Sequence, residues 1–154
     1  MDRTAVLDRL RALCSRREYC SSDVISKALR LLDGNREDAQ YVLERLTEEK
    51  FVDDLRYSRA YARDKAAISG WGCTKIGYML SAKGIAREVI DEALGDIDRS
   101  SAEGRLVKLM QNKNRALKND PDRRLKLMRF ALGRGYSYDD IKAVMKRIEE
   151  GEEL

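Results

Sequence analysis

The stretch Leu29–Leu43, LRLLDGNREDAQYVL, recurs in outline at Met79–Ala93, MLSAKGIAREVIDEA, and again at Phe130–Val144, FALGRGYSYDDIKAV. Gly34, Gly84 and Gly135 align the three copies at a spacing close to fifty residues. Five residues before each glycine stands a large apolar side chain (Leu29, Met79, Phe130), four after it an acid (Asp38, Glu88, Asp139), and nine after it an apolar residue (Leu43, Ala93, Val144). Self-similarity at a fixed period is the mark of a repeated architecture. A glycine that follows an apolar helical stripe reads as a helix C-cap at positive φ, where a side chain costs about 1 kcal/mol. The acid then falls in the first turn of the next helix, against the positive end of its dipole.

Working outward, apolar residues keep a period of 3.6 along the whole chain. Val6, Leu10, Leu13 and Cys14 form the first stripe; Val24, Ile25, Ala28, Leu29 and Leu32 the second; Ala39, Val42, Leu43 and Leu46 the third. Tyr57, Ala60, Tyr61 and Ile68 follow, then Ile76, Met79 and Leu80, then Val89, Ile90, Ala93, Leu94 and Ile97. The last trio is Leu106, Leu109, Met110 and Leu117; Leu125, Met128, Ala131 and Leu132; and Ile141, Val144, Met145 and Ile148. The expected fold is therefore all-α: about nine helices in tandem three-helix, helix-turn-helix-like units over 1–50, 51–98 and 99–150, with a tail at 151–154. Asn35 with Asp38 and Ser137 with Asp140 have N-cap spacing, and Asp120-Pro121 predicts a helix over 121–132 with proline at its first position. Each trio has little core of its own, which favours trios packed side by side in an elongated, curved body suited to wrapping a partner.

Composition narrows the chemistry. The chain has 154 residues, 43% hydrophobic and 38% charged, with 31 Lys+Arg against 27 Asp+Glu and no histidine. Without histidine there is no Ser-His-Asp triad, no Cys-His pair and no His-bound zinc or haem, so no catalytic residue, metal or cofactor is expected. Cys14, Cys20 and Cys73 lack CxxC spacing and read as reduced thiols of a cytoplasmic protein. No apolar run has the length of a signal peptide or a membrane span, so neither export by that route nor membrane insertion is expected.

Charge is uneven. The first two thirds are balanced, whereas residues 99–154 hold fourteen basic and nine acidic side chains. Lys113, Arg115, Lys118, Arg123, Arg124, Lys126, Arg129 and Arg134 mark this third as the candidate site for a phosphate backbone or an acidic protein surface. No stacked-aromatic platform accompanies it in sequence, so any nucleic-acid binding is expected to be weak, salt-dependent and indifferent to sequence. Asp53, Asp54 and Glu49 read as caps and dipole partners rather than metal ligands, and Trp71, between Gly70 and Gly72, as a side chain folded back on the core.

The segment Lys50-Phe51-Val52-Asp53-Asp54-Leu55-Arg56-Tyr57-Ser58-Arg59-Ala60-Tyr61 resembles the signature of the RecX family, bacterial modulators of the RecA recombinase. Gly70-Trp71-Gly72, Lys75-Ile76, Leu80 and Lys83-Gly84-Ile85 match its second stretch, continued by Glu88, Ile90 and Ala93-Leu94. Arg17-Glu18-Tyr19, Ser21, Leu127-Met128-Arg129-Phe130 and Arg134-Gly135-Tyr136-Ser137 match its flanking repeats. Cys73, Gly77 and Gly133 depart from the family pattern. The resemblance implies a tandem three-helix fold and a non-enzymatic regulator that binds RecA and the RecA–DNA filament, blocks extension or promotes disassembly, and lowers recombinase, ATPase and co-protease activities. It also implies a body lying in the filament groove, close to the bound DNA. On this reading the basic third supplies the electrostatic attraction. Asp53, Asp54, Arg56, Tyr57, Trp71, Gly72, Lys83, Gly84 and Gly135 are then mainly structural, and a monomer is expected. A helix-turn-helix-like DNA-binding protein is the alternative, because each trio superficially resembles that motif.

Overall fold

In the structure, a computed structural model that describes residues 1–151, each apolar stripe becomes a helix. The order is α1 (Arg3–Cys14), α2 (Ser21–Leu31), α3 (Arg36–Glu48), α4 (Asp54–Ala67), α5 (Cys73–Ala82), α6 (Arg87–Gly95), α7 (Arg99–Ala116), α8 (Arg123–Gly133) and α9 (Tyr138–Glu149), with no strand among the described residues. The fold is all-α.

Local chemistry sets the helix ends. The Asn35 side chain accepts the amide of Asp38 at 3.0 Å and Ser137 Oγ accepts that of Asp140 at 3.1 Å, so both expected caps form. Asp2, Asp53 and Asp98 do the same for α1, α4 and α7. Each bond satisfies an amide that has no partner inside its helix. Gly34, Gly84 and Gly135 all adopt positive φ, at 83°, 77° and 92°. Behind them the chain turns back onto the preceding helix, as in Gly34 N–H to Leu29 O at 2.8 Å and Gly135 N–H to Leu132 O at 2.9 Å.

Two compact units emerge. The first comprises Met1–Ala60 with Leu80–Glu92, and the second Tyr61–Met79 with Ala93–Leu154. In the first, α1 and α2 pack on α3 around Val6, Leu10, Cys14, Val24, Ala28, Ala39, Val42 and Leu46, with Val52 closing the cluster. In the second, α7 packs on α8 and α9 around Leu106, Met110, Leu127, Ala131, Tyr136, Ile141, Val144 and Met145. The middle trio is shared out: α4 up to Ala60 and most of α6 belong to the first unit, and the rest of α4 with most of α5 to the second.

Three local expectations are corrected. The predicted helix over 121–132 begins at Arg123, because Asp120 turns its carboxylate onto the Asp122 amide at 2.8 Å and Asp120 O accepts from Arg123 N–H. Pro121 therefore lies in a turn before α8, not in its first helical position. The buried stripe of α8 is Leu127 and Ala131, whereas Leu125 and Leu132 remain 50% and 45% exposed. Apolar side chains surround much of this helix, so spacing alone offers more than one stripe and packing against α7 and α9 selects among them. Ile68, expected to continue the α4 stripe, lies just past that helix and is 82% exposed, while Ala62 and Ala66 are buried instead.

Candidate functional site

The basic third divides into two groups. Arg124 pairs with Glu149 at 3.1 Å and Lys126 with Asp120 at 2.6 Å, so these two cations are committed to the fold of the α8–α9 region. The same ion pair holds the Asp120 carboxyl below its ordinary range and raises the Lys126 ammonium above its own, the largest cause in each case being their mutual hydrogen bond. Arg134 donates to Ser69 O at 3.2 Å and lies over the Phe130 ring, which Lys113 also covers. Arg115, Lys118, Arg123 and Arg129 are exposed, and none forms an ion pair among the described residues. These four carry positive charge that no carboxylate neutralises at close range among the described residues.

The acidic motif before α4 is a set of ties within the first unit. Asp53 caps α4 through the Arg56 amide at 3.0 Å. Asp54 accepts from both the amide and the hydroxyl of Ser21, at 2.8 and 3.0 Å, and so joins the start of α4 to the start of α2. Arg56 reaches Glu18 at 2.8 Å and donates to the carbonyls of Lys50 and Phe51. Lys50 stands at φ 65°, a strained conformation for a side chain with a Cβ, and the Arg56 clasp secures it. Tyr57 is buried beside Lys83, whose ammonium bonds Asp23 at 3.1 Å. Burial acts to raise the Asp23 carboxyl, but hydrogen bonds from Cys20 and Lys83 overcome it and the net shift is downward. Glu18, Ser21 and Asp23 were not singled out as partners in sequence, because each lies more than thirty residues from the group it meets.

In the second unit two glycines bring backbones together. Gly72 N–H donates to Arg134 O at 2.8 Å and Thr74 N–H to Gly135 O at 3.0 Å. A Cβ on Gly72 would stand 2.4 Å from Gly135 O, and one on Gly135 would stand 2.1 Å from Lys75 Cβ. Gly84, by contrast, faces open space, so it serves its turn alone. Tyr136 completes the junction by donating its hydroxyl to Gly70 O at 3.0 Å. Trp71, expected in the core, is only half-buried, flanked by Lys65, Lys75 and the edge of Tyr61.

Cys14 and Cys20 are buried and Cys73 exposed, all three free, with burial as the main cause raising each thiol. Among the described residues no group of three or more Cys, Asp or Glu is placed to hold a metal ion. Among the described residues no helix is long and apolar enough to cross a membrane.

These features define an all-helical protein of similarly capped three-helix units, tied by polar side chains and close glycine contacts. Residues 53–94 match the family model for the second three-helix domain of RecX, and residues 103–145 that for the third. The chain is 36% identical over 111 residues to the regulatory protein RecX of Clostridium tetani, covering 70% of this chain and 50% of the relative. It is 25% identical to that of Cronobacter sakazakii, covering 94% of this chain and 92% of the relative. It superposes on the crystal structure of RecX from Lactobacillus salivarius with a TM-score of 0.86 at 22% identity, covering 97% of both chains. The chain belongs to the RecX family. It spans about half the length of the Clostridium tetani and Clostridium botulinum relatives it matches.

Proposed function

We propose that this protein is a cytoplasmic, non-enzymatic regulator that binds RecA and the RecA–DNA filament as a monomer. It blocks filament extension or promotes disassembly, and so lowers recombinase, ATPase and co-protease activities. The observation that carries this reading is the match of two successive three-helix units to RecX family models, whose curated members are named regulatory proteins. The exposed arginines and lysine at 115, 118, 123 and 129 support an electrostatic contact, since they are free of acidic partners among the described residues. Three repeated units, 1–50, 51–98 and 99–150, remain the organisation we assign, the first two tied through Asp54, Arg56 and Lys83.

The test is RecA's single-strand-dependent ATP hydrolysis, with this protein titrated well below one copy per RecA protomer. Inhibition at such ratios supports action on the assembled filament. Charge reversal at Arg123 and Arg129 weakens it without changing the helical circular-dichroism spectrum, because neither side chain holds the fold. No inhibition by the folded wild-type protein overturns the reading in favour of plain duplex binding, the helix-turn-helix-like alternative.

A further inference from the structure

The chain's single tryptophan sits among cations that meet no carboxylate among the described residues. Lys65 Nζ lies 4.7 Å and Lys75 Nζ 4.4 Å from the centre of the Trp71 ring. The Lys75 ammonium also donates to Gly133 O at 3.4 Å, next to Arg134. Arg134 in turn holds Ser69 O at 3.2 Å, against the loop that carries Trp71, and stands 5.3 Å from the centre of the Phe130 ring. Lys113 covers the same ring at 5.1 Å. Lys65, Trp71, Lys75, Arg134, Phe130 and Lys113 thus line one strip of the second unit, each ring flanked by two cations.

The character of the strip lies in what its cations touch. Several cations outside the strip meet carboxylates: Arg11 with Glu49, Arg56 with Glu18, Lys83 with Asp23, Arg124 with Glu149. Among the described residues the four cations of the strip meet only rings and backbone carbonyls, so their charge is not neutralised at close range. Trp71 and Phe130 are half-buried, so part of each side chain is exposed. Lysine stems are long and flexible, and an ammonium resting on a ring transfers readily to a stronger anion.

We propose that this strip binds single-stranded nucleic acid, with bases stacking on Trp71 and Phe130 and phosphates taken by Lys65, Lys75, Lys113 and Arg134. Stacking on side-chain rings requires unpaired bases, and two rings each flanked by a pair of cations match two unpaired bases with phosphates on either side of each. An acidic peptide would use the cations and leave the rings idle. The inference is independent of the RecA reading.

Trp71 is the only tryptophan, so its fluorescence reports the site directly. The full chain is titrated with an oligothymidylate, which forms no duplex. The expected result is quenching of Trp71, with log affinity falling against log salt at a slope of about −3 for four phosphate contacts. That slope means binding about fiftyfold weaker at about 200 mM salt than at about 50 mM. Lys65→Gln combined with Lys75→Gln halves the slope to about −1.4. Lys113→Gln, on α7 and outside the glycine contact, lowers it by about 0.7 and serves as a second variant if the first fails to fold. Absence of quenching, an unchanged slope in a folded variant, equal binding to duplex without quenching, or displacement by polyglutamate at equal charge each overturns the proposal. Inhibition of RecA ATP hydrolysis by the folded double variant would separate this site from the filament contact.

Discussion

Gly135→Ala is the sharpest test of how the second unit is held together. Gly135 stands at φ 92°, and a Cβ there would lie 2.1 Å from Lys75 Cβ and 2.8 Å from Lys75 N. The obstacle is the backbone and Cβ of α5, not the end of a flexible side chain, so it moves only if the α8–α9 turn and α5 separate. Positive φ alone costs about 1 kcal/mol for alanine. Overpacking against a fixed backbone adds about 1–3 kcal/mol. Loss of the Gly72 N–H and Thr74 N–H bonds adds about 1 kcal/mol each if the backbones part. Strain and overpacking alone come to about 3 kcal/mol, and loss of either bond adds to that, at or beyond the upper end of the ordinary range for one substitution. Gly84→Ala is the internal control: its φ is 77° with nothing within 4 Å, so only the roughly 1 kcal/mol of backbone strain applies. Urea unfolding followed by circular dichroism reads both, and thermal melting should show a fall of about 2–4 °C for the control and about three times that for Gly135→Ala. Equal losses in the two variants would refute the interlock and leave Gly135 as an ordinary helix cap.

Three further outcomes follow from the same geometry. Ser137→Ala removes the acceptor of the Asp140 amide and should cost about 1 kcal/mol, seen as a lower urea midpoint with unchanged slope. Gly104→Ala, inside α7 with open space around its Cβ, should stabilise the protein by about 1 kcal/mol; a loss instead would show that α7 needs its flexibility. The Asp23–Lys83 pair makes stability depend on pH at both extremes. Asp23 is depressed below 3.8, so its contribution is present above that value and is lost as pH falls through the folded value. Lys83 is raised above 10.5, so its contribution is full below that value and is lost as pH rises through the folded value. Lys83→Met should shift the acid limb of the melting-temperature profile toward higher pH, and coincident acid limbs in the two proteins would remove the pair from the account.

The helices were readable from residue spacing because a helix is a local structure: Val6 and Leu10, or Ile141 and Val144, declare a face within one or two turns. The caps at Asn35 and Ser137 were equally local, each bonding an amide three residues on. Legibility failed where a helix offers several apolar stripes. In α8 the choice of Leu127 over Leu125 was made by neighbouring helices, and Asp120 moved the helix start by binding the Asp122 amide. The candidate site was legible as net charge but not as available charge, since Arg124 and Lys126 find carboxylates and Arg134 finds a carbonyl.

The sequence by itself determined an all-helical chain, its threefold glycine punctuation and the basic bias of the last trio, all properties of residues close together along the chain. Tertiary structure alone decided which cations stay free and that Trp71 joins Lys75, Arg134 and Phe130 on one surface. It also decided that Gly72 and Gly135 leave room for two backbones to meet. Those groups lie about sixty residues apart, and only packing of one helix pair against another sets the distance between them.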